Sequence, residues 1–157
     1  MNKKEEPGYG RWLTLGATTT WEHWDTGGSH NHPMFGGGLV WYYRKLAGMN
    51  ADPENPGYRH IIFRPQPVDE LSFAKYYNNT AYGEAGIHWK KGKNEFSMDV
   101  TVPIGSTATV YVPAGENQQI LENGKDIVNS ELLKSVGYKE GYHVFNISSG
   151  NYSFTAK

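Results

Sequence analysis

The spacing of apolar residues changes from a helical to a strand period about one third of the way along the chain. Across Pro33–Ala47, apolar side chains recur every three to five residues, which predicts a helix with a wide buried face. After Tyr58, short runs alternate between apolar and polar residues, which predicts successive strands. Met49–Tyr58 lies between them and contains two prolines, two asparagines and a glycine, so we interpret it as a linker. The pattern therefore predicts two unlike regions, 1–57 and 58–157.

The second region is predicted to be mainly β. In Glu95–Val102, four apolar side chains alternate with polar ones, which is typical of an antiparallel sheet with one solvated face. Asn123-Gly124 is a strong signal for a two-residue hairpin turn. The remaining predicted strands are His60–Phe63, Phe73–Tyr77, Ala85–Trp89, Thr107–Val112, Gln119–Leu121, Asp126–Val128, Tyr142–Ile147 and Tyr152–Thr155. Such a series of short strands, with no helix between them, predicts an antiparallel β-sandwich of jelly-roll type.

The first region is predicted to contain one or two helices. A short helix is expected over Tyr9–Leu15, and the helix over Pro33–Ala47 could be capped by Ser29 or Asn31 and end at Gly48. Each glycine of Gly36–Gly38 costs a helix roughly 1 kcal/mol relative to alanine, so we expect a neighbouring helix or a ligand to approach closely there. These helices have few partners of their own, and this region therefore resembles the end of a larger helical assembly.

Composition excludes several classes of partner. Fifteen basic and sixteen acidic residues give a net charge of −1 without a basic stripe, so a nucleic-acid partner is not expected. The chain has no cysteine, which rules out disulfides and thiolate metal sites. No apolar run has the length of a membrane span or follows a basic N-terminus as in an export signal, so no membrane partner is expected and the compartment stays unassigned. The aromatic content of 14% fits either a β core or surfaces that stack on sugars.

Half of the six histidines fall in Thr18–Gly37, together with two tryptophans and two acidic residues. Glu22 is a candidate general base, since the flanking rings of Trp21 and Trp24 could raise its pKa and exclude water. A glycine-containing turn could bring His32 into the same cleft. The alternative is that Glu22 and His32 only satisfy backbone amides at a helix entrance.

The same stretch also permits a metal site. His30-Asn31-His32 would place two imidazoles on one face of an extended strand, with Glu22, His23 or Asp25 as a third ligand. Pro33 and the helix that it begins indicate a turn rather than a strand at this point. We therefore predict no metal, and the sequence indicates no other cofactor.

Several short motifs occur in an order and at distances that resemble the C-terminal part of bacterial α-L-rhamnosidases. The similarity runs from about Tyr9 to Pro113 and is fainter beyond. The motifs are Gly16-Ala-Thr-Thr-Thr-Trp-Glu-His-Trp-Asp25, Ser29-His-Asn-His32, Met34-Phe-Gly36, Tyr43-Arg-Lys-Leu-Ala-Gly48, Asp52-Pro53, Pro56-Gly57-Tyr58 and Phe63-Arg-Pro65.

The resemblance implies a fold and an activity. In that family an (α/α)6 barrel carries the catalysis and a β-sandwich follows it, so residues 1–57 would be the terminal helical piece of the barrel and 58–157 the sandwich. Family enzymes hydrolyse terminal α-L-rhamnosyl groups with inversion, using two carboxyl groups. Glu22 matches the general base and His32 a histidine that contacts rhamnose, while Trp21 and Trp24 would lie near the site.

The resemblance also has a gap. The family's general acid lies upstream in an acidic motif that ends in Gly-Trp-x-Gly-Asp, and no such motif occurs in these 157 residues. We therefore expect a C-terminal fragment of an α-L-rhamnosidase that is inactive alone, with a rhamnosylated glycan or glycoside as the partner of the complete enzyme. One alternative is a non-catalytic carbohydrate-binding or structural sandwich with exposed Tyr76, Tyr77 or Trp89. Another is a helical segment that docks on the rest of the barrel or associates with a second copy.

Overall fold

A computed structural model describes residues 3–127 and 133–157. The chain forms two compact units, with the boundary between Trp41 and Tyr42. We call the part before this boundary the first unit and the part after it the second unit. None of the helices formed by the described residues has the length and apolar character needed to cross a membrane.

The helical segments are short. Helix α1 spans Tyr9–Thr14, which confirms the predicted short helix. A 3-10 turn at Pro33–Gly36 and helix α2 at Gly37–Trp41 follow in the first unit. A π-helical turn at Tyr42–Ala47 begins the second unit. The prediction of one regular helix over Pro33–Ala47 is thus wrong, because the hydrogen bonding changes from 3-10 to α and then to π along the segment. The three glycines lower the stability of a regular helix here.

The ends and the exposure of this segment also differ from the predictions. His32 is the N-cap and makes no side-chain capping bond, so the predicted caps at Ser29 or Asn31 are wrong. Gly48 does end the helical turn, with φ +88° and its N–H donating to the carbonyl of Tyr43 at 3.0 Å. The predicted buried face is wrong as well, since the only buried side chains of the segment are those of Leu46 and Ala47.

The second unit contains eleven strands among its described residues. They are β1 Met49–Ala51, β2 His60–Phe63, β3 Phe73–Thr80, β4 Gly83–Lys91, β5 Phe96–Val102, β6 Thr107–Pro113, β7 Ile120–Glu122, β8 Lys125–Asp126, β9 Lys134–Lys139, β10 Tyr142–Ile147 and β11 Gly150–Ala156. One sheet has five strands in the order β1-β2-β6-β10-β9, and the other has six in the order β3-β4-β5-β11-β7-β8. The predicted β-sandwich is confirmed.

The topology corrects the strand prediction at three points. Strands β2 and β6 pair in parallel, with His60 opposite Thr107, whereas every other pair among the described strands is antiparallel. Strand β1 lies within the stretch interpreted as a linker and pairs with β2. Strand β9 was not predicted, because all six of its residues are exposed and carry no alternation. Val128, the predicted end of one strand, lies outside the described residues.

The core lies between the two sheets and follows the period-two pattern. In β5 the side chains of Phe96, Met98, Val100 and Val102 are buried, as their alternation predicted. Trp89 is fully buried, which makes its assignment as an exposed aromatic wrong. Its indole N–H donates to the carbonyl of Leu46 at 2.9 Å, so the π-helical turn is held to the sheet through a satisfied buried donor.

Candidate functional site

An aromatic cluster forms the interior of the first unit. The ring of Trp12 lies 4.6 Å from that of Trp24 and 5.6 Å from that of Phe35. Tyr9 packs edge-on against Trp24 at 5.4 Å and donates its hydroxyl proton to the carbonyl of Phe35 at 2.5 Å. Trp21 lies 6.0 Å from Trp12 and is 6% exposed. Helix α1 is therefore held to the following loop mainly by ring contacts, since it is too short to be stable alone.

The loop from Thr19 to His32 folds back on itself. The N–H of Glu22 donates to the carbonyl of Ser29 at 2.9 Å, and the N–H of His32 donates to the carbonyl of Thr20 at 2.8 Å. The Thr20 hydroxyl donates to the carbonyl of His32 at 2.5 Å, and the Thr19 hydroxyl donates to the carbonyl of His30. These bonds fix the two arms of the loop side by side, with Glu22 on one arm and His32 on the other.

The carboxylate of Glu22 lies close to the turn of this loop. Its Oε2 accepts the backbone N–H of Ser29 at 2.8 Å, and its Oε1 lies 4.0 Å from Nε2 of His23. Its side chain is 37% exposed. Gly28 has φ +72°, and a Cβ there would lie 2.8 Å from Oε2 of Glu22 and 2.6 Å from a ring carbon of His23. The backbone conformation therefore favours glycine at this position, and a larger residue would displace the side chains of Glu22 and His23.

The environment lowers the pKa of Glu22. The main cause is the hydrogen bond from the N–H of Ser29; burial opposes it with the next largest effect, and electrostatic interaction with His32 and His23 adds smaller lowering effects. The expectation that tryptophan walls raise this pKa is wrong. The hydrogen bond from Ser29 thus favours the ionised form of the Glu22 carboxyl group.

The other predicted residues take different positions around Glu22. Trp21 is buried and its ring stacks on that of His30, with centroids 4.0 Å apart. Trp24 is half-buried and belongs to the aromatic cluster. His32 is half-buried, and its charge contributes to the lowered pKa of Glu22. The residues that matter here and that sequence reasoning did not select are Ser29, through its backbone N–H, and Gly28.

Within residues 3–127 and 133–157, no three side chains of histidine, aspartate or glutamate come together in a group that could hold a metal ion. His30 instead lies with its Nε2 3.1 Å from the carbonyl of Thr26. Asp25 accepts the N–H of Gly27 at 2.8 Å and so stabilises the turn. The polar residues of the loop are thus engaged mostly with its own backbone.

Two protein-family models match this chain, one in each part. Residues 48–126 match the model of the bacterial alpha-L-rhamnosidase C-terminal domain. Residues 1–46 match the model of the bacterial alpha-L-rhamnosidase 6 hairpin glycosidase domain. The chain belongs to the bacterial α-L-rhamnosidase family. The resemblance seen in the sequence motifs is therefore confirmed.

Individual α-L-rhamnosidases align over nearly the whole chain. Over 99% of its own length, this chain is 28% identical to an alpha-L-rhamnosidase of Streptomyces avermitilis. Over 92% of its own length, it is 29% identical to an alpha-L-rhamnosidase of an Alteromonas species. It spans only 15% and 16% of those two proteins. The alpha-L-rhamnosidase structure from Dictyoglumus thermophilum superposes with a TM-score of 0.85 at 38% identity, covering all of this chain and 18% of that one. The Streptomyces avermitilis enzyme complexed with L-rhamnose superposes with a TM-score of 0.82 at 28% identity, covering 99% of this chain and 15% of that one.

Proposed function

We propose that this chain supplies the general-base side of an α-L-rhamnosidase active site, with Glu22 as the base. In this proposal the helical piece of the catalytic barrel lies within residues 1–57 and ends before β1, which pairs with the C-terminal β-sandwich that residues 58–157 otherwise form. The observation that carries the assignment is the match of residues 1–46 to the glycosidase domain of this family, within which the carboxylate of Glu22 is partly exposed and accepts the N–H of Ser29. A general base must be deprotonated and within reach of water, and the ionised, partly exposed carboxylate of Glu22 fits both requirements.

The proposed reaction is hydrolysis of a terminal α-L-rhamnosyl group with inversion. Glu22 would remove a proton from a water molecule that attacks the anomeric carbon, while a second carboxyl group protonates the departing oxygen from the opposite face. His32 would donate a hydrogen bond to a hydroxyl of the sugar. Trp21 and Trp24 would support this side of the pocket by fixing the loop that carries both residues.

The exposed apolar surface of the first unit supports its placement against further helices. Leu13 is 71% exposed and Met34 is 58% exposed. Leu15, Leu39, Val40 and Trp41 are also exposed. Gly36 and Gly37 face open space, because a Cβ at either position would have no atom within 4 Å. A surface of this composition is expected where another part of a protein packs.

We further propose that these 157 residues are inactive by themselves. The second carboxyl group required for inversion has no counterpart among the motifs of this sequence. Loss of general acid catalysis lowers a rate by about 10²- to 10⁴-fold, and loss of the surrounding pocket also removes the positioning of the substrate. Incubation of the chain with p-nitrophenyl α-L-rhamnoside should give no release of p-nitrophenol above a blank. Turnover that disappears in Glu22→Gln would contradict the proposed inactivity.

The role of Glu22 is tested in a chimera. The segment of the Streptomyces avermitilis alpha-L-rhamnosidase that aligns with this chain is replaced by the 157 residues, and kcat is measured on p-nitrophenyl α-L-rhamnoside. Glu22→Gln keeps the size of the side chain but cannot accept the proton, so kcat should fall by about 10²- to 10⁴-fold. Glu5→Gln, at another exposed carboxylate of the first unit, is the matched control and should keep full activity. Equal activity of the two variants would refute the assignment of Glu22.

A further inference from the structure

The outer face of β3, β4 and β5 combines aromatic and basic side chains. Across these strands, Phe73 is paired with Lys90, which is paired with Ser97. The next outward row contains Lys75, His88 and Asp99, and the row after that contains Tyr77, Gly86 and Thr101. Because side chains alternate between the two faces of a sheet, all nine residues lie on the side opposite the core. We call this surface the β3–β5 outer face.

Two aromatic rings on this face are exposed to solvent. Phe73 is 60% exposed and Tyr77 is 41% exposed. They are four residues apart on one strand, which corresponds to about 13 Å. The ring of Tyr77 lies against Gly86, where any Cβ would overlap it, and the ammonium of Lys75 lies 4.9 Å from its centroid. The ring of Phe73 is therefore accessible to a ligand, whereas the ring of Tyr77 already contacts Gly86 and Lys75.

Some charged side chains on and around this face form ion pairs, and others do not. Two carboxylates near Phe73 have a lysine partner: Asp69 binds Lys91, and Glu95 lies 3.8 Å from the ammonium of Lys157. Asp99 lies 3.8 Å from the imidazole of His88, and Glu70 forms no ion pair with the other described residues. In contrast, no carboxylate of the described residues lies within 4 Å of the ammonium of Lys75 or of Lys90. Two ammonium groups without a carboxylate partner thus flank the exposed ring of Phe73: Lys75, which lies against the ring of Tyr77, is two residues along the same strand, and Lys90 is directly opposite on β4.

A shallow depression of about 560 Å³ opens at the same place. Its lining includes Phe73, His88, Ser97 and two lysines, Lys90 and Lys91, together with one carboxylate, Glu95. Its volume lies within the range of roughly 300–1,000 Å³ that is common for small-ligand sites, and one ring with a few polar groups is a usual lining for such sites. All residues that line the depression belong to the second unit, so it shares none with the residues proposed for catalysis.

We propose that the β3–β5 outer face binds an acidic oligosaccharide. A pyranose ring has an apolar face of C–H groups, which stacks on the open ring of Phe73. A carboxylate on that sugar or on its neighbour pairs with Lys90 and Lys75, and the Ser97 hydroxyl and the ring nitrogens of His88 provide hydrogen bonds to sugar hydroxyls. A neutral sugar would use the ring but would leave both ammonium groups without partners. The proposal does not depend on the catalytic role of Glu22.

The test is a titration of the ¹⁵N-labelled full chain with tetragalacturonate, observed by NMR. We expect shifts of the amides of β3, β4 and β5 that saturate, and we expect binding to weaken between 50 and 300 mM NaCl because ion pairs are screened. Maltotetraose, which is neutral and has four pyranose rings, should produce much smaller shifts. Absence of any saturable shift with tetragalacturonate would overturn the proposal, and equal binding of both sugars would overturn its acidic specificity.

Variants locate the site. Phe73→Ala and Phe73→Leu should each weaken binding roughly tenfold, and the leucine variant keeps an apolar side chain if alanine disturbs the strand. Lys75→Gln and Lys90→Gln should each weaken it roughly two- to fivefold and reduce its salt dependence. Lys134→Gln, on an edge strand of the other sheet, removes the same charge and should leave binding unchanged. If Lys134→Gln weakened binding as much as Lys90→Gln, the attraction would be one of overall charge and the site would be refuted.

Discussion

Substitution of Gly28 by alanine tests whether the turn of the loop from Thr19 to His32 keeps the pKa of Glu22 low. Gly28 has φ +72°, a conformation that costs an alanine roughly 1–2 kcal/mol. The added Cβ would also lie 2.8 Å from Oε2 of Glu22 and 2.6 Å from a ring carbon of His23. Both side chains are partly exposed and can rotate away, but Glu22 then loses the hydrogen bond from Ser29. Gly28→Ala should therefore lower stability and raise the pKa of Glu22 towards its usual value.

Two other glycines separate these effects. Gly16 has φ +81° and no atom within 4 Å of an added Cβ, so Gly16→Ala isolates the cost of the backbone conformation, roughly 1–2 kcal/mol. Gly37 has a helical φ of −56° and is also unobstructed, so Gly37→Ala should be neutral or stabilise by up to about 1 kcal/mol. The expected order of stability is Gly37→Ala, wild type, Gly16→Ala and Gly28→Ala, from highest to lowest.

The assay combines two measurements on the same four proteins. Urea unfolding is followed by tryptophan fluorescence, which reports mainly on the first unit because Trp12, Trp21, Trp24 and Trp41 lie there and only Trp89 lies in the second. The pKa of Glu22 is followed by the ¹³C shift of its carboxyl carbon. If Gly28→Ala were no less stable than Gly16→Ala and left the titration of Glu22 unchanged, the inferred contact between this glycine and the carboxylate would be refuted.

Three further predictions concern the second unit. Trp89→Phe keeps most of the buried area but leaves the carbonyl of Leu46 without its donor, so it should lower the unfolding free energy by about 1–3 kcal/mol in urea titrations, and an unchanged midpoint would contradict this. The side-chain hydrogen bond from Asn55 is the main cause of a lowered pKa of Asp52. Its contribution to stability is therefore present above the unfolded pKa and is lost as the pH falls through the folded pKa. Asp52→Asn should make the melting temperature less sensitive to pH below about 4, and an unaltered acid profile would refute this prediction. Gly86→Ala should displace the ring of Tyr77 and broaden or shift its NMR signals, whereas Gly92→Ala, which has only an ordinary neighbour at 3.4 Å, should leave them in place.

The sandwich was predictable where burial imposed an alternation. Strand β5 has one face in the core, so its apolar residues recur at every second position and reveal both the strand and its orientation. Strand β9 is exposed along its whole length, and its sequence therefore carries no such signal. Strand β1 has three residues in a segment rich in proline and asparagine, and only its pairing with β2 makes it a strand. Local pattern identifies half-buried strands, while edge strands depend on partners distant in sequence.

The loop around Glu22 shows a second limit of sequence reasoning. The two tryptophans beside Glu22 in the sequence suggested an apolar wall and a raised pKa. In the structure, Trp24 packs on Trp12 and Trp21 stacks on His30, so these rings build the interior of the first unit. The pKa of Glu22 is determined mainly by a backbone N–H seven residues away, and the identity of Ser29 does not reveal that contact. Backbone donors are available at almost every residue, and only the path of the chain selects one.

The lowered pKa of Glu22 has a consequence for the proposed division of roles between two carboxyl groups. In an inverting glycosidase the general acid must be protonated and the base ionised at the same pH, so their pKa values must be separated. On our proposal, the hydrogen bond from Ser29, which is the main cause of the lowered pKa of Glu22, increases this separation by lowering the pKa of the base. On our proposal, activity of a chimera should therefore persist on the acidic side until Glu22 is protonated, below the usual pKa of a glutamate. His32→Ala removes one of the positive charges that lower this pKa and should move the acidic limb of the kcat/KM profile to higher pH, whereas the alkaline limb, which reports on the acid, should stay in place. Movement of both limbs together, or of neither, would show that the pKa of Glu22 does not govern the acidic limb.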